Sequence, residues 1–360
     1  MRHRDVGVLE YDPARAQKGI TIITPMHGHA SYLIGMRGEV LHEWQFPLQA
    51  GMYGRLLPGG NILWAGRTKD GPSPGGGKGG LIRECDWAGN VVWEYQDDAQ
   101  HHDLRRLRNG NTLYIGWEPM PPEAARRVVG AEHGSEAKGG IIWGDYLREV
   151  TPEGKTAWEW HAHSDMELEQ FPLHPMSTRA EFAHCNACTE LADGDIMLSF
   201  RKISTIAIVD KKTRKLRWHK RDDEWGQQHD CEMLANGNIL FFANGIHVPR
   251  GVFHSRAIEF DPKTGETAWS YQGSPPETFF SPNISGCQRQ PNGNTLICEG
   301  LFGRVFEVTP DGDIVWEYVS PFFGPYDWFG LERGGFGNSV FRAYRYPADS
   351  TEIAGRLRLP

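Results

Sequence analysis

The 360-residue chain has no run of the roughly 18 apolar residues that a membrane-spanning helix requires. It also has no basic tract. With a net charge of -8, nucleic acid and anionic membranes are poor partners. A Walker-type phosphate loop is missing, which argues against nucleoside triphosphate chemistry. The N-terminus, MRHRDVGVLEYDPARAQKG, has no apolar core of the kind a secretory signal needs, so the expected location is cytoplasmic. Cysteine is scarce: Cys85, Cys185, Cys188, Cys231, Cys287 and Cys298 fall mostly in predicted strands and fit reduced, buried thiols. Cys185 and Cys188 have a metal or redox spacing, but no second CxxC accompanies them, and on a strand they point to opposite faces.

What the chain does contain is a repeated phrase. QHDCEMLANGNILFFANG (residues 228–245) reads as a polar head, a short strand, a tight turn and an apolar strand. The same order recurs as HHDLRRLRNGNTLYIGW, HCNACTELADGDIMLSFR and SGCQRQPNGNTLICEG, with weaker copies YGRLLPGGNILWAGR and GFGNSVFRAYRY. A second phrase alternates with it: VLHEW, VVWEY, TAWEW, LRWHK, TAWSY and IVWEY. Six copies of each at this spacing predict an all-β chain forming one six-bladed β-propeller of four-stranded antiparallel blades. The Asn-Gly turns suit hairpins that require positive φ, and the tryptophan of each fourth strand is expected to pack between blades.

The expected blades cover residues 52–95, 100–160, 183–219, 228–271 and 283–318. Residues 1–31 read as an N-terminal arm. A closing blade is expected from an N-terminal strand pair within 32–45 joined to a C-terminal pair within 326–346 (Asp327–Arg333 and Ser339–Tyr346), which removes the open edge. With the four strands of each blade lettered A to D from the channel outward, the A–B and C–D turns are short, whereas the B–C and D–A connections on the other face are long. These include the Gly-rich Thr68–Gly79 segment and Glu118–Gly140, with a short helix in PPEAARRVV; Gly75–Gly80 reads as a flexible surface loop, with phosphate binding the alternative. Long loops on one face of a rigid scaffold mark that face as the place for a site.

Aligned on the turn asparagine, Met52, His102, Asn186, His229, Ser285 and Phe329 share one level of the inner strand. Gln100, His184, Gln227 and Asn283 lie two residues earlier. Strand B ends at Arg67, Trp117, Arg201, Asn244 and Gly300. Three histidines and an arginine are therefore expected to converge at one mouth of the channel. Neutral imidazole is a nucleophile and a general acid–base near pH 7, while a guanidinium grips oxyanions; together they suit transfer of a sulfuryl or phosphoryl group. Asp230 could set the tautomer of His229, but as the next strand residue it is expected to point away from the channel. The loop aromatics Phe279, Phe280, Phe322, Phe323, Tyr326, Trp328 and Phe329 either sandwich an aryl substrate or seat the loops.

These phrases, in this order, together with SRAIEFD, resemble the PAPS-independent arylsulfotransferases, above all the shorter arylsulfotransferase-like members. The resemblance implies a six-bladed propeller that moves a sulfuryl group from an aryl sulfate to a phenol through a sulfated histidine, with no cofactor. It implies that His229 is the nucleophile and that His102 assists proton transfer. His184 and Asn186 match an HxN pair, Arg201 matches a sulfate-gripping arginine, and Ser285 stands where a hydroxyl-bearing residue is expected. Asn244, Arg67 and Trp117 complete the expected substrate-binding set. The well-known members are periplasmic and carry an extra N-terminal β domain and a disulfide, for which this chain shows neither signal nor room. Two other readings stand beside this one. One is a metal-dependent propeller lyase or hydratase acting on uronic-acid-type sugars, with a divalent ion held by His102, His184 and His229 together with Gln227 or His29. The other is a non-catalytic ligand-binding scaffold. Oligomeric state is not legible.

Overall fold

In a computed structural model, residues 5–328 and 331–357 are described. Six sheets, each with at least four antiparallel strands, form a β-propeller. Blade one is Ala50–Leu56, Ile62–Arg67, Gly80–Cys85 and Val91–Gln96; blade two is Gln100–Arg106, Thr112–Pro119, Trp143–Val150 and Thr156–His161. Blade three begins with Cys185–Glu190 and ends with Leu216–Arg221, and blade four runs from His229–Met233 to Thr267–Gln272. Blade five starts at Gly286–Arg289 and its fourth strand is Ile314–Val319.

The ring closes differently from the expectation. The C-terminal strand Val340–Tyr346 is the inner strand of blade six, and the N-terminal part supplies the other three: Ile20–Pro25, Ala30–Ile34 and Val40–Gln45. Residues 1–31 are therefore not simply an arm. Ile20–Pro25 is wholly buried, and Gly7–Tyr11 adds a fifth strand to the edge of blade five. Gly324–Trp328 and Leu331–Gly337, part of the expected C-terminal pair, form a separate two-stranded sheet. Phe329 lies outside the described residues.

The turn asparagines do more than tolerate a tight turn. In blade two, Asn109 Oδ1 accepts from Asn111 N (3.0 Å), and Gly110 takes φ +87°. Both asparagine amides then donate to Glu149 on strand C, at 2.8 and 2.6 Å. Asn236 and Asn238 hold Glu259 in the same way, as Asn294 holds Glu307 and Asn61 holds Glu84. One side-chain clasp thus ties the A–B turn to the third strand and fixes register.

A second repeated contact joins the blades. The strand-D tryptophan indole N–H donates to a backbone carbonyl at the next blade's C–D turn: Trp44 to Asp86, Trp93 to Pro152 and Trp158 to Lys211. Trp218 to Pro262, Trp269 to Pro310 and Trp316 to Met36 complete the circle. All six bonds are 2.8–3.2 Å long, so inter-blade packing is indeed the role of these tryptophans.

The six cysteines are unbridged and buried. Burial pushes the Cys185 and Cys188 thiols well up, away from the reactive thiolate.

Candidate active site

At the mouth of the channel the inner strands depart from regular pairing. Blade two pairs Ile115 with His101 and Tyr114 with Leu104, which leaves His102 and Asp103 as extra residues. Asn186 is extra in blade three and Asp230 in blade four. Positive φ accompanies each bulge: His102 at +53°, His184 at +64° and Asp230 at +51°. Bulges of this kind re-aim side chains beside a site. Simple alternation therefore fails here, and His184 reaches the level of His102 although it stands two positions earlier in the alignment.

His102, His184, His229 and Arg201 line one cavity of about 230 Å³, with Met26, Met52, Asn283 and Ile284 supplying much of the rest. The rings of His102 and His184 meet edge to face, centroids 4.5 Å apart. Arg201 opens a short 3-10 turn after the second strand of blade three, and its N–H donates to His184 O (3.0 Å). That backbone bond ties the position of Arg201 to that of His184.

Each imidazole is held from behind through Nδ1. Asn244 Nδ2 donates to Ser281 O (2.8 Å) and Ile284 O (2.9 Å), which fixes the amide orientation. Its Oδ1 must then accept from His229 Nδ1–H at 2.8 Å. His229 Nε2 is left as the lone-pair nitrogen. Glu181 Oε1 accepts from His184 Nδ1–H at 2.6 Å. The same carboxylate takes Trp117 Nε1 (3.0 Å) and lies 3.3 Å from Lys202 Nζ. His184 and Lys202 hold Glu181 well below the usual carboxylate range despite its burial. The Nδ1 atoms of His102 and His101 are 2.7 Å apart and share one hydrogen bond.

Burial, reinforced by neighbouring histidines and arginines, pushes His102 and His229 well below the ordinary histidine value of 6.5. Burial also lowers His184, against the pull of Glu181. All three are neutral near pH 7. Burial brings Arg201 down to about 10, with Glu181 opposing the shift. Its buried Nε makes no hydrogen bond among the described residues. A cation so placed is costly until an anion arrives to share it.

Beneath these side chains the channel is filled. Arg342, fully buried, donates to Asp103 Oδ2 (3.1 Å) and Asn186 O (2.6 Å) and faces Asp230 Oδ1 (3.3 Å). Asp230 therefore turns inward to Arg342, not away from the channel, and the His229 tautomer is set by Asn244 instead.

Other expected site residues have structural partners. Asn186 donates to Gln228 O (2.8 Å) and is fully buried. Ser285 Oγ accepts from Gly300 N (3.0 Å). Trp117 stacks on His101 with centroids 3.9 Å apart, and Arg67 Nη1 donates to Gln49 Oε1 (3.3 Å). None of these four, nor Asn244, lines the cavity. Gln227 donates to Ser177 Oγ (3.2 Å), also off the cavity, and His29 is exposed. Phe279 belongs to the core and Phe322 stacks on Tyr32 at 3.8 Å, so these two aromatics seat the loops. Among the described residues, the donors close enough to share an ion are Glu118, His161 and His163, within 4.8 Å of one another; none belongs to the expected channel set.

Sequence reasoning missed Glu181, Lys202, His101, Asp145 and Arg342. It also misread the Gly-rich loop, which packs on the site instead of waving free. His102 N donates to Gly77 O (2.8 Å), and a Cβ at Gly77, where φ is +89°, would overlap the His102 ring. A Cβ at Gly75 would collide with Glu181.

The family model for arylsulfotransferase (ASST) matches residues 56–321, most of the chain, and takes in His102, His184, His229 and Arg201. The chain belongs to the arylsulfotransferase family. No curated protein matches it. Among solved structures, a protein of unknown function from Bacteroides caccae is similar at 11% identity, with TM-score 0.56, covering 91% of this chain and 98% of that one. A streptogramin B lyase (13% identity, TM-score 0.49, 88% and 83% covered) is also similar. So is a virginiamycin B lyase from Staphylococcus aureus (12% identity, TM-score 0.44, 83% and 84% covered). At these identities the likeness is one of fold. Membership in the arylsulfotransferase family makes a transferase the expected class of enzyme, with an aryl sulfate and a phenol as its general substrates.

Proposed function

We propose that the chain transfers a sulfuryl group from an aryl sulfate to a phenol by a two-step, ping-pong route through sulfated His229. The observation that carries this reading is the pairing of an imidazole whose Nδ1–H is tied to Asn244 with a guanidinium on the same cavity whose buried Nε makes no hydrogen bond among the described residues. In the first step His229 Nε2 attacks sulfur, and the S–O(aryl) bond breaks with its electron pair leaving on the phenolate oxygen. The Arg201 guanidinium donates to the sulfuryl oxygens, while His184, whose one proton is held on Nδ1 by Glu181, packs beside them. A bound sulfate monoester brings a negative charge that raises the basicity of His102, which then carries the proton the phenolate takes. In the second step His102 removes the proton of the acceptor phenol, the phenolate attacks sulfur, and the S–N pair returns to His229 Nε2. Asn186 and Ser285, turned to backbone partners, hold the framework and not the sulfate.

The experiment is to mix the protein with p-nitrophenyl sulfate, quench, and look for an 80 Da adduct, roughly the mass of SO3, on the peptide carrying His229. His229→Asn should lose the adduct and on the order of 10³-fold or more in rate. Normal transfer by that variant would end the covalent scheme.

A further inference from the structure

His101 is fully buried, does not line the cavity, and belongs to none of the roles above. Its ring is sandwiched in place by Trp117 at 3.9 Å. Its Nδ1 meets His102 Nδ1 at 2.7 Å, and its Nε2 faces Asp145 Oδ1 at 3.3 Å. These last two atoms are buried and neither makes a hydrogen bond among the described residues, so the 3.3 Å ion-pair approach is what sets them face to face. Asp145 is 1% exposed, and its second oxygen accepts from Ala183 N (2.9 Å) and Cys185 N (2.8 Å). The carboxylate is therefore anchored on the backbone at both sides of His184, and the oxygen it has left points at His101.

We infer that Asp145 and His101 form a relay that fixes the tautomer of His102 and stabilises it when it takes the acceptor's proton; the inference rests on the sulfuryl-transfer reading of the site. The order of donors follows from the carboxylate, which only accepts. His101 Nε2–H donates to Asp145, so His101 Nδ1 carries the lone pair. His102 Nδ1–H must then donate to it, which leaves His102 Nε2 unprotonated for the cavity. When Nε2 accepts the phenol's proton, the imidazolium formed keeps its Nδ1–H on His101, and the carboxylate behind His101 offsets the new charge. No proton needs to travel along the chain. The pair acts as positioning residues, as a carboxylate does behind a single catalytic histidine, here extended by one more ring.

Asp145→Asn inverts this order. One amide oxygen must stay on the two backbone N–H groups, so the new NH2 faces His101 and donates to Nε2. His101 then carries its proton on Nδ1 and donates to His102, whose proton moves to Nε2, where it blocks the base. His101→Phe preserves the stack on Trp117 and removes both nitrogens.

The test measures transfer from p-nitrophenyl sulfate to a series of phenols of rising pKa, in the wild type and both variants. Acidic phenols need little base, and weakly acidic ones need it most. The inference expects a loss of roughly 10²-fold for phenol itself, within the usual range for general base catalysis, and a loss several-fold smaller for the most acidic acceptor. An equal loss across the series, or no loss, overturns the relay. Failure of the wild type to transfer sulfuryl groups at all would instead overturn the proposed function. Should the variants fail to fold, nitrogen chemical shifts of His102 in the wild-type protein decide the matter: a protonated Nε2 in the resting state overturns the inference.

Discussion

At the scale of single residues, the site depends on which nitrogen carries a proton. Asn244 matters because its own amide is committed to two carbonyls, leaving only an acceptor for His229. Asn244→Ala is expected to release the tautomer and lower kcat by at least ~10²-fold, as mis-set imidazoles do elsewhere, while a melting curve shows a folded protein. The depressed values of His102 and His229 also set the pH response. Folded, these rings bind protons less readily than in the unfolded chain, whose value is near 6.5. Their contribution to stability is complete above that pH and is lost as pH falls below it, because the unfolded state takes up the extra protons. The melting temperature should therefore decline between about pH 6.5 and 5, and less steeply in His229→Gln. The acid limb of kcat/KM should lie below 6.5 for the same reason. The histidines and Arg201 were legible from the repeat. Glu181 was not, because it stands in a two-residue strand within a long connection that carries no repeat phrase.

Elements matter where they press on the site. The Gly-rich loop roofs His102, and its glycines are there for close approach. Gly77→Ala should push the ring aside and cut kcat/KM by around 10²-fold, the usual penalty for a displacement near 1 Å, with a smaller effect on melting temperature than on rate. Composition alone suggested a mobile loop, because glycine serves flexibility and tight packing equally well and only the neighbours distinguish them. The inner-strand bulges were hidden for a related reason. One additional residue in a strand leaves the hydrophobic pattern intact on both sides and changes only which side chains turn inward.

For the whole molecule, the number of blades could be read from the turns and tryptophans, but the manner of closure could not. The strand Ile20–Pro25 has no Asn-Gly turn beside it and no tryptophan of its own, so nothing announced it as part of the ring. Arg342 shows what closure accomplishes: it extends from blade six to Asp103 of blade two and Asp230 of blade four. Arg342→Ala leaves buried Asp230 without its ion pair, while Asp103 keeps Arg105, and should cost about 3–5 kcal/mol, visible as a large fall in denaturation midpoint. Trp93→Phe, which removes one of six equivalent inter-blade bonds, should cost only about 1 kcal/mol.

Because the inner strand of blade six comes from residues 340–346, the floor of the cavity is laid only after the other five blades have been synthesised. Five blades can emerge from the ribosome, with every histidine already present, and still enclose no finished pocket. A nascent chain stalled before Val340 would carry the imidazoles above an open shaft, with Asp230 lacking its ion pair below. Enclosure of the pocket thus waits on that single strand.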